Sequence, residues 1–449
     1  MDHANFLASV KAQYESYPYP PRAPEEERQR LRISLLDAMD VLNHHGFAGR
    51  RDFSQGFRVL VAGGGTGDAA ISMAEQLRPW NGEVVYLDMS AASMAVARER
   101  AAVRRLDNIT WIQESLLELP RLGLGRFDYI NCCGVLHHLE DPPAGLAALE
   151  TVLADDGVLG LMVYAAYGRV PVYQVQQLLA MIRDEGDDMT RQVEDALAVV
   201  QSLPPQHGLK LSWDLYAGDI QAGPAGVYDL LLHSQDRAYT VPQLYEFTAT
   251  AGLQIVTLLS DEGYANLAYD PATYLKDPRL LQRIHSLPLP RRQAIAELLH
   301  GRLCKHSCYV ARRPVAPPAL EDLDDMVPTL ALVYERGAYG RFAQQCSEAG
   351  EALHIVVSQQ PSLSVKIRKP PHLALLVREM DGRRTLGQII ARVREALGPA
   401  APDTSTLLAE FRGFYRAMQL SNSLLLRHRD TAPLASRSEM QQRVAAYHG

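Results

Sequence analysis

The chain has 449 residues, 47% hydrophobic and 22% charged, with 45 Lys and Arg against 52 Asp and Glu for a formal charge of -7. This composition excludes wholesale disorder, a collagen-like fibre and a chain that coats nucleic acid through bulk positive charge, and at roughly 150 residues per domain the length suits two or three globular units. No apolar run approaches the ~18 to 20 residues of a membrane span, no basic and apolar leader opens the chain, and five cysteines make no disulfide framework, so a cytoplasmic, reducing location is expected.

Residues 1–52 read as an N-terminal arm and helix. Tyr14, Tyr17 and Tyr19 are interleaved with prolines at 18, 20 and 21, which forbid a helix there and predict an extended segment ending near Arg22. From residue 53 short apolar runs alternate with helical spacing. Phe57–Ala62 is a strand, Gly63–Gly67 a glycine-rich turn, Asp68–Leu77 a helix, and Glu83–Leu87 a second strand that stops at Asp88. Strands at Ile109–Ile112, Phe127–Asn131 and Gly157–Ala165, with a helix at Pro143–Leu153, continue the series. Such alternation predicts parallel strands joined by right-handed crossovers.

Residues 170–205 read as two helices broken at Asp187-Asp188, and 206–238 as irregular connection. Thr240 and Gln243 form a capping-box signal for a helix that Gly252 ends; Leu253–Leu259 and Ser307–Ala311 are further strands. The economical reading is one domain over 53–312 with insertions 169–239 and 264–303, placed where insertions build the substrate side of a site. A proline-rich, acidic linker at 313–326 leads to a small unit at 327–430, with helices at His372–Glu379, Thr385–Leu397 and Thr404–Met418 and a strand at Leu424–Arg427. Residues 431–449 are expected to be a loose tail, although Glu439–Tyr447 has helical spacing.

The chemistry is carried by Val59-Leu-Val-Ala-Gly63-Gly-Gly65-Thr-Gly67 and by Asp88 at the tip of the next strand. Glycines at a strand-to-helix turn let the backbone approach a ligand, and an acid about 20 positions on suits two ribose hydroxyls. The spacing G-x-G-x-G departs from the G-x-G-x-x-G of nicotinamide dinucleotide sites. Together with Phe127-Asp-Tyr-Ile-Asn-Cys-Cys-Gly-Val-Leu-His137-His138 and the turn Leu153-Ala-Asp-Asp-Gly157, these residues resemble the seven-strand class I S-adenosylmethionine-dependent methyltransferases. The resemblance implies an α/β fold, a doubly wound, mostly parallel seven-stranded sheet, with S-adenosyl-L-methionine as cofactor and S-adenosyl-L-homocysteine as product. It implies cofactor contacts from Gly63, Gly65, Gly67, Asp88, Met89, Ser115 and Leu116; Cys133, just before Gly134 at the strand end, is a further candidate contact, with small-residue packing as the alternative. Val61 and Ser115 depart from the family's usual acids. A narrower resemblance, carried by the Tyr-Pro arm, by Tyr164-Ala-Ala-Tyr167-Gly-Arg169 and by Leu230–Tyr239, is to bacterial methyltransferases with a helical regulatory insert and a C-terminal winged-helix-like α+β domain, some of which modify lysines in outer-membrane proteins.

Within that frame Tyr14, Tyr17, Tyr19 and Arg22 are candidates for a lid, Tyr14 and Arg22 as cofactor contacts and Tyr17 at the reaction site, with packing as the plain alternative. His137 and His138 after the fourth strand, and His233 and Asp236 in the insertion, are the other catalytic candidates, against helix-start residues and a structural ion pair. Cys304, His306 and Cys308 share a strand face but offer at most three ligands, so no metal is expected. Residues 361–430 hold twelve Lys and Arg against six Asp and Glu, spread over several elements; a docking or solvated face is favoured over a nucleic-acid one. The expected function is methyl transfer to a nucleophilic atom of a peptide or protein side chain. The alternatives are a small-metabolite methyltransferase and a cofactor-binding regulator without turnover, and a homodimer is left open.

Overall fold

The computed structural model describes residues 3–80, 82–184, 186–260, 265–332, 337–348, 350–359 and 362–448. Its central sheet is built from β1 (Arg58–Ala62), β2 (Glu83–Asp88), β3 (Ile109–Gln113), β4 (Phe127–Cys133), β5 (Leu153–Ala165), the two-residue β6 (Ala238–Tyr239), β7 (Gln254–Leu259) and β8 (Lys305–Ala311). The strand order is β3-β2-β1-β4-β5-β8-β7, with β6 paired to the end of β5. Strands β1 to β5 pair in parallel; β8 runs antiparallel between β5 and β7. This is the doubly wound, mostly parallel sheet that the resemblance implies, with the two-residue β6 added to the seven expected strands.

Strand periodicity divides the core in two. Leu60, Val85, Ile130 and Leu159 point to one face of the sheet, and Val59, Val84, Tyr86 and Tyr129 to the other, all of them 1% exposed or less. Helices α1 (His3–Ser16) and α2 (Met39–Gly46) precede the sheet, and α3 (Asp68–Leu77), α4 (Ala91–Val103) and α5 (Pro142–Thr151) connect its parallel strands.

The first insertion is more regular than expected. After α6 (Val170–Ile182) and α7 (Met189–Ser202), the segment read as irregular folds into α8 (Gly208–Leu211), α9 (Trp213–Gln221) and α10 (Pro224–Leu231). These helices are short, and Pro224, a helix-start residue, looks like a breaker in a periodicity count. Val172, Val175, Val193, Ala196, Tyr216 and Leu231 close a separate apolar cluster among them. Helix α11 (Val241–Ala249) begins with the capping box of Thr240 and Gln243, and α12 (Pro278–His285) and α13 (Leu289–His300) lead to β8.

Beyond the linker, β9 (Met326–Leu330), α14 (Ala338–Ser347), the antiparallel hairpin of β10 (Ala352–Gln359) and β11 (Ser362–Arg368), α15 (Leu373–Arg378), α16 (Leu386–Leu397), α17 (Thr404–Gln419) and β12 (Leu424–His428) gather around Leu373, Leu386, Ile389, Phe411 and Phe414. The tail is not loose: α18 (Arg437–His448) buries Met440 and Val444 completely. Leu425 and Met440 belong to the same apolar cluster as Leu42 and Val59, so this part shares a core with the sheet. No helix among the described residues is long and apolar enough to cross a membrane.

Candidate active site

The glycine-rich turn leaves β1 with Gly63, Gly65 and Gly67 at φ of 74°, 51° and 101°, a region where a side chain is strained. Gly63 and Gly64 donate their N–H groups to Leu87 O at the end of β2, which ties the turn to the strand that presents Asp88. Asp88 accepts from Gly65 N and Ser90 N, each at 2.8 Å. Burial pushes its carboxyl up, and the backbone donors of Ser90 and Gly65 hold it back down. The turn lies between β1 and β4, where the strand order reverses, the place at which doubly wound sheets open a crevice.

The N-terminal arm covers that crevice. Thr66 Oγ1 donates to Pro20 O at 2.6 Å, Ser90 Oγ donates to Tyr14 O at 3.1 Å, and the Glu15 carboxylate accepts from Ala91 N and Ala92 N at the start of α4. Arg22 forms a two-point pair with Asp68, Nε to Oδ1 at 3.0 Å and Nη2 to Oδ2 at 2.7 Å, so its guanidinium is committed to the first residue of α3 rather than free for a ligand carboxylate. A Cβ built on Gly65 would come within 2.8 Å of Tyr19 O. The close approach of arm and turn therefore depends on that glycine.

Beneath the arm is a cavity of about 620 Å³, lined by Gly63, Gly65, Asp88, Met89, Ser115, Leu116, Cys133, Tyr14 and Arg22 among the expected cofactor contacts. Gly67 sits behind it as the N-cap of α3, its added Cβ 2.8 Å from Ala97. The volume is ordinary for a ligand pocket, and a bare glycine backbone beside a carboxylate matches the needs of a nucleoside with a zwitterionic chain, so the residues fit S-adenosylmethionine.

The far end of the same cavity is lined by His138, Tyr164, Arg169, Asp219, Asp229 and Tyr19. Tyr19 Oη donates to Asp219 at 2.8 Å, Tyr14 Oη to Asp229 at 3.2 Å, and Tyr164 Oη to the other Asp229 oxygen at 3.5 Å. Burial first, and the neighbouring Asp219 second, push the Asp229 carboxyl up to about 7. Burial also pushes the His138 imidazole down to about 4 and His233 well below its usual range, so both rings are neutral at physiological pH.

The catalytic candidates separate in space. His138 faces the cavity, and the His233 ring stacks on it at 3.8 Å while its Nε2 lies 3.4 Å from Tyr14 Oη. His137 is 1% exposed and packs against Tyr164 outside the cavity lining, and Tyr17 leans on Tyr228 in the apolar cluster of the insertion. Asp236 is an ion-pair residue: it holds Arg169 at 2.5 Å and accepts from Tyr173 and Gln176, which places the guanidinium 3.5 Å from the Tyr164 ring centroid. Asp219 and Asp229 were not expected. Asp229 had a readable signal, a lone acid in the apolar run Gly226-Val-Tyr-Asp-Leu-Leu-Leu. Asp219 had none.

His138, Asp229 and His233 each bring a possible ligand atom within 4.8 Å of the others. The two rings nevertheless lie face to face, 24° from parallel, rather than fanned about a point. Gln235 N also donates to His233 Nδ1, which leaves the proton on the nitrogen that would have to ligate. The group is arranged for hydrogen bonds.

Residues 60–159 match the methyltransferase domain family Methyltransf_12. Over 91% of its length the chain superposes on PKMT2 from Rickettsia typhi, solved in complex with AdoHcy, with a TM-score of 0.61, 13% sequence identity and 77% of that chain covered. Sheet, glycine turn, Asp88 and these likenesses define an S-adenosylmethionine-dependent class I methyltransferase, an enzyme whose cofactor is S-adenosylmethionine. More narrowly, the chain belongs to one family with the uncharacterized protein syc1184_c of Synechococcus sp., to which it is 30% identical over 326 residues, 71% of this chain and 75% of that protein. It is also 37% identical over 115 residues to the tRNA 5-carboxymethoxyuridine methyltransferase of Escherichia coli K12, but there it spans only 25% of its own length and 42% of the relative's.

Proposed function

We propose that this methyltransferase acts on an amine nitrogen carried by a side chain of a peptide or protein. The observation that carries the reading is the anionic, aromatic end of the cavity: Asp219 and Asp229 have no salt-bridge partner among the described residues and are surrounded by Tyr14, Tyr19 and Tyr164. A protonated amine satisfies both features, since it neutralises a buried carboxylate and sits well against aromatic faces. A phosphate or carboxylate acceptor would meet repulsion there.

When bound, the cofactor supplies an electrophilic methyl group on a sulfonium. The chain's part is to hold and align: Asp88 takes the ribose hydroxyls, Gly63 and Gly65 admit the methionine part, and Met89, Ser115 and Leu116 border the adenine. Cys133 and the arm close the space around the reacting carbon and exclude water. In this reading the insertion α6 to α10 is the acceptor platform, because it contributes Asp219, Asp229 and His233.

One observation favours a small amine instead. Tyr14 and Tyr19 bridge from the arm to Asp229 and Asp219 at the far end of the cavity, which narrows the space there for a bulky acceptor. Methyl transfer from labelled cofactor to n-butylamine, N-acetylcysteine, N-acetyltyrosine and a basic peptide tests both readings. Transfer to the amines alone is expected, and preference for the peptide over butylamine separates a protein acceptor from a metabolite; transfer to the thiol or phenol in preference overturns the amine.

A further inference from the structure

Asp229 lies on α10, where every neighbour in the run is apolar, and is 6% exposed. A carboxylate there costs free energy unless the surroundings use it. What surrounds it is a hydrogen-bond chain whose direction can be read. The backbone of one residue, Gln235, sets two histidine tautomers in opposite senses: its carbonyl accepts from His138 Nδ1 at 2.7 Å, and its N–H donates to His233 Nδ1 at 3.1 Å. His138 therefore keeps a lone pair on Nε2, whereas His233 carries its proton on Nε2. That proton is directed to Tyr14 Oη at 3.4 Å, and the Tyr14 hydroxyl in turn donates to Asp229 Oδ1 at 3.2 Å. Tyr164 donates to Oδ2. The chain of donors ends at one carboxylate, on the wall of the cavity that also holds Asp88 and the glycine turn.

We propose that Asp229 takes the proton from the acceptor before methyl transfer, and that Tyr14 and His233 are positioning residues that aim its oxygens. The proposal rests on the reading of the acceptor as an amine. An ammonium R–NH3+ gives one proton to the Asp229 carboxylate, leaving R–NH2 and a neutral carboxyl. The nitrogen lone pair forms the N–C bond as the C–S bond breaks, its electron pair staying on sulfur, so the products are R–NH2–CH3+ and a thioether. Asp229 then releases its proton to water, one per methyl transferred.

The two imidazoles at this end are weaker bases. The His138 imidazole is pushed down by burial to about 4, and that of His233 lower than its usual range, whereas a carboxyl pushed up to about 7 exchanges protons near neutrality. The charges that face Asp229 oppose one another: Asp219 on α9 and Asp236 after α10 raise it, and Arg169 at the start of α6 lowers it.

Two measurements on the full chain test this. Difference infrared spectroscopy, which needs no acceptor, should show a protonated-carboxyl C=O band that titrates near pH 7 in the native protein and is missing from Asp229→Asn; the same band persisting in that variant overturns the assignment. With n-butylamine as the probe, kcat/KM should rise through an ionisation near pH 7 in the native enzyme. Asp229→Asn should lose that ionisation and about a hundredfold in rate while cofactor affinity stays the same, Asp229→Glu should recover part of the rate, and Tyr14→Phe should displace the ionisation without abolishing turnover. An Asp229→Asn enzyme with the native rate and profile overturns the proposal. If the band titrates as stated but methyl goes to N-acetylcysteine and not to butylamine, the amine reading falls and Asp229 remains the titrating group.

Discussion

Asp88 contributes through position as much as through charge. Two backbone N–H groups fix its carboxylate before any ligand arrives, so the oxygens are already oriented for hydroxyl donors and little ordering remains to be done on binding. Losing a pair of hydrogen bonds to a charged group costs about 1.5–3 kcal/mol each. Asp88→Ala should therefore weaken S-adenosylmethionine binding by well over tenfold; calorimetry showing the native affinity would remove the ribose assignment. Behind Arg169, at the other end of the cavity, Asp236 illustrates a carboxylate of the opposite kind. Its oxygens are used by Arg169, Tyr173 and Gln176, so Asp236→Asn should act by freeing the Arg169 guanidinium from its place on Tyr164, with loss of thermal stability as well as of turnover.

At the scale of elements the arm is held by backbone and side-chain bonds to two different helix starts, through Glu15 to α4 and Arg22 to α3. Deleting residues 1–22 should leave the sheet folded but lower both cofactor affinity and turnover, because Tyr14 and Tyr19 line the cavity. A truncated protein that binds and turns over normally would show that the arm is not part of the site. Gly65→Ala should give a milder version of the same loss, since its φ of 51° and the 2.8 Å approach to Tyr19 O both resist a methyl group. A second element contact is pH-sensitive. His44 on α2 accepts from Leu426 N in β12, and burial pushes its imidazole from 6.5 down to about 3. The folded state holds this ring neutral, so the unfolded chain protonates first. Its contribution to stability is complete above pH 6.5 and is lost as pH falls toward 3. Unfolding midpoints measured between about pH 7 and about pH 4 should fall more steeply for the native protein than for His44→Gln.

For the whole molecule, the part beyond the linker packs as an extension of the sheet's core. Leu425, Met440, Ala331 and Leu332 lie in one cluster with Leu42, Phe57 and Val59, and α18 sets Gln441 against the fully buried Arg104. A fragment ending near residue 325 should lose solubility or unfold at lower temperature, because it exposes that apolar surface and leaves buried charges without partners. A soluble fragment with native cofactor affinity would mean instead that the C-terminal part is dispensable for the fold and serves the acceptor alone.

The run of strands alternating with helices, the glycine turn, Asp88 and the capping box of Thr240 and Gln243 could be read from the sequence, because each depends on residues close in the chain: short apolar runs between helical spacings, glycine where φ is positive, a hydroxyl three residues before a glutamine. The methyltransferase class followed from those local signals. Three features were set only in the tertiary structure: Asp219 and Asp229 facing Tyr19 and Tyr14 from some 200 positions away, Arg22 pairing with Asp68, and α18 closing on Glu27 and Arg104. None of these has a spacing rule, since long-range partners are selected by burial and by the need to satisfy buried charge. The end of the cavity beside the glycine turn is made from contiguous motifs; the far end is assembled from α1, β5, α9 and α10, and only their packing brings its polar groups together.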